Sequence, residues 1–363
     1  MSRVLHIIEP TLFDQSGHGF GYVQSLISAN RSIGFVMHVW HDNRGKKLLR
    51  GLPCISHSFF FRPLRQVQKL WLYFRLLKQH GIVFISTSEL WDLKILAFYS
   101  KHFSTQAQVA LHFHQFKKTA KKFHALDKLS KQCKKFAIFA PTDKLVQIFQ
   151  EHGFKQAKCV ACPSFYPLRD ISHIDGKFSR ILYPGAARSD KGFPQVIKLL
   201  QHLRQSGNNM VFELQISPPN SQRYDAATEE ALVQLKTIPT TNLIVHNNTL
   251  NQQQYLGLFN NAICLLLHDH ILYQDKFSGV TLDAFYAGCP IITAKNTWMG
   301  DSVEKYQAGI ALENYTNEAI TAAINNIVEN YVFYHNNAKR AAVTLRQLHD
   351  PKNTLIYLRD QSR

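Results

Sequence analysis

Short apolar runs alternate with amphipathic stretches through most of the 363-residue chain, and the alternation occurs twice. RVLHII (3–8), FVMHVW (35–40), GIVFIST (81–87), QVALHFH (108–114) and KFAIFAP (135–141) read as buried strands, separated by helical stretches such as YVQSLISAN and PLRQVQKLWLYFRLLKQ. The periodicity breaks at PSFYPLRDISHIDGKF (163–178), where prolines, Asp and Gly crowd together as in an interdomain link. A second series follows: SRILYPG, the helix PQVIKLLQHL, the strands VFELQIS and NLIVHNN, the helix QQQYLGLF, the strand AICLLLH, the helix VTLDAFYAG and the strand PIITA. Strand–helix alternation of this kind builds a parallel sheet covered by helices. A chain of this length exceeds the roughly 250–300 residues at which one core stops growing. Two doubly wound α/β domains in tandem are therefore expected, with a cleft between facing sheets where strand-end loops take ligands.

Hydrophobic residues make up 45% of the chain and charged ones 18%, which excludes a disordered protein. No apolar run approaches the ~18 residues of a membrane span, and the opening MSRVLHIIEPTLFDQSG is too short in apolar residues for a secretory signal, so a cytosolic protein is expected. Cys54, Cys133, Cys159, Cys162, Cys264 and Cys289 lack the spacing of a disulfide framework. Cys159 and Cys162 form a CxxC without the second pair that a zinc ribbon needs, and they read as strand and loop cysteines.

The net charge of +17 is uneven. Residues 1–168 hold 24 Lys plus Arg against 8 Asp plus Glu, whereas residues 169–363 hold 18 against 17. The densest stretch, QFKKTAKKFHALDKLSKQCKKF (115–136), carries eight lysines interleaved with Phe116, Phe123, Leu126, Leu129 and Phe136. It reads either as a basic amphipathic helix suited to an anionic surface or as a solvated lysine face over an ordinary packed helix.

Chemistry concentrates in two segments of the second series. In DKFSGVTLDAF, Ser278 and Gly279 precede a helix whose free N–H groups suit a phosphate. Asp283, about one turn in, can accept hydrogen bonds from vicinal ribose hydroxyls, and Asp275 can take a hydroxyl of the group attached to the phosphate. A capped helix start with an acidic first turn has the same look without any ligand. In LYPGAARSDKGF, a strand ends in a loop with Gly185, Arg188 and Lys191 just before a helix. The planar fork of Arg and the point charge of Lys suit a diphosphate, and cations at a helix start are otherwise mildly unfavourable. His112 and His114, and likewise His268 and His270, are spaced two apart, so each pair would share a face in a strand. Neither has further ligands at recognisable spacing, and no metal site is expected from them.

The glycine loop ending in Lys-Gly, followed about 90 residues later by acid-x-Phe-x-Gly-x-x-x-acid-Ala and Gly-x-Pro, resembles the retaining GT-B glycosyltransferases of the "group 1" family. The residues that carry the resemblance are Gly185, Arg188, Lys191, Asp275, Phe277, Ser278, Gly279, Asp283, Ala284, Gly288 and Pro290. It implies two Rossmann-like domains, an acceptor-side domain at 1–165 and a nucleotide-sugar domain at 166–345, with a segment 346–363 that crosses back to the first. It also implies roles: Asp275 on a donor sugar hydroxyl, Asp283 on the ribose, Arg188 and Lys191 on the diphosphate, and the backbone at Ser278 and Gly279 completing the phosphate pocket beside Phe277. From the first domain, where the match is weak, the loop Gly17, Gly19, Gly21 would lie near the donor and His114 near the sugar. The family typically has Glu where Asp275 and Asp283 stand, and its Gly-Arg pair is Gly185-Ala186 here.

The expected activity is metal-independent, retaining transfer from a nucleoside-diphosphate sugar to a glycan or lipid-linked acceptor, as in envelope polysaccharide or lipopolysaccharide synthesis. It would need no cofactor, with same-face attack and the departing phosphate taking the acceptor proton. Peripheral contact with an anionic membrane through Lys117, Lys118, Lys121 and Lys122 is expected, at the inner face. The alternatives are a GT-B-like binding protein whose shortened acids no longer turn over a donor, and a nucleic-acid binder. The latter has charge as its only support and no recognised module.

Overall fold

A computed structural model describes residues 3–14, 18–164, 176–218 and 224–360. The chain divides into two compact units, residues 1–166 with 346–363, and residues 167–345.

The first unit runs β1 (Val4–Glu9), α1 (His18–Ala29), β2 (Val36–Asp42), β3 (Ile55–Phe60), α2 (Arg65–Leu77), β4 (Ile82–Ile85), α3 (Leu90–His102), β5 (Gln108–His112), α4 (Ala120–Ser130), β6 (Ala137–Ala140), α5 (Asp143–Glu151) and β7 (Lys158–Cys159). The second runs β8 (Arg180–Tyr183), α6 (Phe193–Gln205), β9 (Phe212–Gln215), α7 (Ala226–Leu235), β10 (Leu243–His246), α8 (Gln252–Gly257), β11 (Ala262–Leu266), α9 (His270–Tyr273), α10 (Gly279–Tyr286), β12 (Ile291–Ala294), α11 (Trp298–Tyr306), β13 (Gly309–Leu312) and α12 (Asn317–Glu329). α13 (Tyr331–Leu348) carries the chain out of the second unit, and α14 (Pro351–Asp360) packs on α1 of the first.

Each unit is a parallel sheet, in the order β3-β2-β1-β4-β5-β6-β7 and β10-β9-β8-β11-β12-β13. The central strands are apolar on both faces because helices cover both: IVFI of β4, AICLL of β11 and IITA of β12 are buried throughout. The edge strands β3 and β10 stay largely uncovered. β3 mixes Ser and His among its apolar residues, which is why its sequence gives no clear strand signal. Helix starts follow local chemistry: the side chains of Thr119, Thr142, Asp225, Asn251, Thr297 and Thr316 each accept a hydrogen bond from a first-turn backbone N–H.

Strand order reverses between β1 and β4 in one sheet and between β8 and β11 in the other. Loops leaving those strands part to opposite sides, so the carboxyl ends of β8 and β11 leave a crevice in which ligands of such sheets lie.

Candidate functional site

The loop after β8 turns through Gly185 into a single helical turn, Ser189–Lys191, and enters α6 at Gly192. Gly192 has φ +78°, and a Cβ there would stand 2.1 Å from the Leu267 carbonyl oxygen, so only glycine lets this loop close onto the end of β11. The closure brings the sequence-distant basic loop and the 268–279 segment together: the Asp269 N–H donates to the Asp190 carbonyl at 3.0 Å, and the Tyr273 hydroxyl reaches the Asp190 carboxylate at 3.3 Å.

Three cations converge there. Burial holds the His268 imidazole down to about 3, with Lys191, Arg188 and Lys276 adding repulsion in that order, so this ring is neutral at any working pH. The ring stacks on Tyr273 at 4.3 Å, and the Lys276 ammonium stands 4.6 Å from the Tyr273 ring centre. Arg188 does not point freely at a ligand: its Nε donates to Asp190 Oδ1 at 2.8 Å and its second nitrogen bonds Oδ2, a two-point ion pair. Lys191 differs. Its stem passes over Gly185, where an added Cβ would meet Lys191 Cδ at 3.5 Å, and its ammonium has no hydrogen bond or ion pair among the described residues. Burial, then Arg188, pull its pKa below the ordinary lysine value, with Asp190 opposing. A half-buried ammonium that lacks a partner among the described residues and stands beside another cation favours an anion as its complement.

Ser278 is the N-cap of α10 and makes no side-chain cap, leaving first-turn N–H groups of Gly279 and Val280 for another acceptor. Phe277 packs edge-on against Trp298 at 4.8 Å, which anchors the segment between Asp275 and the helix. Asp283 is buried at 5% exposure, and its Oδ2 accepts from the Tyr255 hydroxyl of α8 at 3.3 Å. α10 ends at Gly288, with φ +68°. A Cβ there would stand 2.8 Å from His335 Nδ1, whose ring donates to the Gly288 carbonyl at 2.7 Å. Asp190, Tyr273 and Lys276 were not singled out from the sequence, although Asp190 and Lys276 lie inside the two motifs.

Several sequence expectations change. His268 and His270 do not share a face: His268 is buried after the end of β11, while His270 is exposed as the first residue of α9. Gly19 and Gly21 are not loop glycines but lie inside α1, where Cβ atoms would meet nothing closer than 3.6 Å; Gly17 is outside the described residues. In the lysine-rich stretch, Phe116, Leu126, Leu129 and Phe136 are all buried, and Phe123 stacks on His152 at 4.6 Å. Lys117, Lys118 and Lys121 are exposed over this packed surface.

His112 and His114 have a neighbour that sequence spacing does not show. His112 ends β5, His114 follows it, and the segment after β7 sets Cys162 beside them, with His114 Nε2 3.9 Å from Cys162 Sγ. The three side chains offer ligand atoms that all lie within 4.8 Å of one another, from positions 48 residues apart in sequence.

A family model described as "Glycosyl transferases group 1" matches residues 167–344. No curated protein sequence matches the chain. Among solved structures, a glycosyltransferase from Rickettsia africae ESF-5 superposes with a TM-score of 0.74 at 13% identity, covering 100% of this chain and 99% of that one. Anabaena Alr3699/HepE, solved in complex with UDP and glucose, gives 0.70 at 13% identity over 99% and 100% of the two chains. Sucrose-phosphate synthase from Thermosynechococcus elongatus gives 0.71 at 13% over 99% and 98%. At these identities the likeness is one of fold, two Rossmann-like parallel-sheet domains of the GT-B kind.

Proposed function

We propose that this chain, whose residues 167–344 match the glycosyl transferases group 1 family model, is a glycosyltransferase that moves a sugar from a nucleoside-diphosphate sugar to a glycan or lipid-linked acceptor, with retention, in envelope polysaccharide or lipopolysaccharide synthesis. The observation that carries the reading is the Lys191 ammonium, unpartnered among the described residues and set with Arg188 and Lys276 around neutral His268 at the β8/β11 reversal. Charge grows on the leaving diphosphate in the transition state, and fixed cations aimed at it lower the barrier without reorganising. In this reading Lys191 and the N–H groups at Ser278 and Gly279 hold the diphosphate, Asp275 a sugar hydroxyl and Asp283 the ribose. Arg188 reaches the phosphate by exchanging it against Asp190. His114 positions the sugar or acceptor, the departing phosphate takes the acceptor proton on the same face, and no metal or cofactor is needed.

The test is release of nucleoside diphosphate from a panel of nucleotide sugars, with Lys191→Ala and Asp275→Ala alongside. Release from one donor, lost in both variants, supports the assignment. Wild-type protein that neither turns over nor binds any nucleotide sugar by calorimetry ends it.

We also propose a peripheral contact with anionic membrane at the cytoplasmic face, centred on a different surface from the lysine-rich stretch. Phe61, Leu64, Val67 and Trp71 recur at helical spacing along the approach to α2 and its outer face, and are 48 to 64% exposed. The inner face buries Leu72, Tyr73 and Leu76. Residues 43–88 contain nine Lys plus Arg and no acid, and Arg75 lies over the Trp71 ring at 5.5 Å. Apolar side chains ringed by cations are what an anionic interface takes up. Among the described residues no helix is long and apolar enough to cross a membrane. Val67→Ser with Trp71→Ser should abolish sedimentation with phosphatidylglycerol vesicles, and alanine at Lys117, Lys118, Lys121 and Lys122 should only weaken it. The reverse ranking returns the contact to the lysine stretch.

A further inference from the structure

Three soft ligands meet at the carboxyl end of the first sheet, and the diphosphate chemistry uses none of them as a set. His112 is fully buried at the end of β5, where its Nδ1 lies 2.6 Å from the Tyr22 hydroxyl of α1. Its Nε2 completes no hydrogen bond among the described residues, although the Val160 carbonyl is near enough to favour a proton on the ring. His114 is half-buried, stacked on Tyr22 at 5.5 Å, with its Nε2 3.9 Å from Cys162 Sγ. Cys162 is held from the far side: His349, just before α14, donates from Nδ1 to the Cys162 carbonyl at 2.8 Å, and the Ser164 N–H donates to the His349 carbonyl at 3.0 Å.

We propose that His112, His114 and Cys162 form a binding site for a thiophilic divalent transition-metal ion, of which zinc is the natural candidate. Two imidazoles and a thiolate are a donor set that zinc takes, and three protein ligands leave a fourth position for water or a substrate oxygen. With Zn–N near 2.0–2.1 Å and Zn–S near 2.3 Å, tetrahedral neighbours lie roughly 3.3–3.6 Å apart. The His114–Cys162 separation of 3.9 Å needs a few tenths of an ångström of closure, and the widest, 4.8 Å, somewhat over 1 Å. His114, half-buried, is the least enclosed of the three side chains. The hydroxyl of Tyr22 orients the His112 ring as outer partners of metal-bound histidines do.

Because the metal takes the thiolate, an incoming ion displaces the Cys162 Sγ proton to solvent: the S–H bond breaks, the metal–S bond forms, and about one proton leaves per ion. Affinity therefore rises with pH. With His114 positioning the reacting sugar, as the proposed transfer has it, an ion there occupies that nitrogen and inhibits transfer. Metal binding itself does not rest on the proposed transfer.

The probe is Co2+ added to the full chain under reducing conditions, followed by its absorption spectrum, with Zn2+ displacement measured by calorimetry. One Co2+ per chain is expected, with a thiolate-to-cobalt charge-transfer band and the intense visible bands of four-coordination. Cys162→Ser removes the charge-transfer band, Cys159→Ser keeps it, and Tyr22→Phe weakens zinc binding by about 10-fold or more, with melting curves showing that each variant is folded. No charge-transfer band in the wild type, or one that survives Cys162→Ser, overturns the site. If the band appears while donor turnover is absent under all conditions, the metal site stands and the catalytic reading falls. Turnover without the band removes the metal site and leaves the catalytic reading standing.

Discussion

Each unit draws a lysine away from solvent, Lys69 fully and Lys191 in part, and the two are treated in opposite ways. Lys69, on α2, is 2% exposed and its ammonium lies 2.7 Å from Asp92, whose carboxylate also accepts from the Tyr73 hydroxyl at 2.6 Å. Lys191 has no counter-ion of its own among the described residues, and Asp190 beside it is already forked onto Arg188. The first arrangement satisfies a charge inside the fold, and the second leaves one over. Net charge alone points the wrong way: residues 1–168 carry an excess of 16 cations and residues 169–363 an excess of one (24 − 8 and 18 − 17), yet the concentrated cations at strand ends are in the second unit. A domain's total charge describes its outer surface, whereas a site depends on a few groups whose partners are missing.

That contrast can be broken by substitution. Lys69→Met strands Asp92 in the core and should cost about 3–5 kcal/mol of first-unit stability by urea unfolding, because a buried charge that loses its partner keeps its desolvation penalty. Equal stability would show that the Tyr73 hydroxyl and the Glu89 N–H satisfy Asp92 without the lysine. Lys191→Met should do the reverse, leaving the fold as stable or slightly more so, while donor turnover falls by roughly 10²–10³. A large loss of stability there would mean that Lys191 is structural after all.

Acid sharpens the same comparison through buried histidines. The folded chain holds His349 down to about 4, chiefly by burial, with the Cys162 carbonyl opposing. The unfolded chain takes that proton near 6.5, so this contribution is whole above about pH 6.5 and is lost as pH falls toward 4, on the order of 3 kcal/mol. His349→Gln should flatten the decline in first-unit unfolding midpoints across that window; an unchanged slope would place the acid sensitivity elsewhere. The smallest effect expected is at the α10 terminus. Gly288→Ala places a Cβ at positive φ against His335 and should lower second-unit stability by roughly 2 kcal/mol, with donor affinity falling only if the helix start shifts. Unaltered melting would show that His335 swings away.

The fold was legible because buried parallel strands announce themselves: each is a short run apolar on both faces, and the chain order of strand and helix leaves few topologies. β3 escaped because an uncovered edge strand need not be apolar, and the glycines of α1 misled because a glycine cluster signals a loop only when some φ is positive or some neighbour is close. The two loops proposed to hold the donor could be picked out for a related reason: Gly185 to Gly192 and Asp275 to Asp283 are each contiguous, so one segment of sequence is one piece of the proposed site.

What the sequence determined by itself was the pair of α/β units and the residues of these two loops, since local periodicity and short motifs survive without knowing what packs on them. Only the tertiary structure decided that Arg188 is paired while Lys191 has no partner among the described residues, that most of the apolar residues among the lysines are core, and that Cys162 stands beside His112 and His114. Each of these is a distance between residues brought together by sheet order and loop closure, and a distance of that kind leaves no spacing in the chain to read.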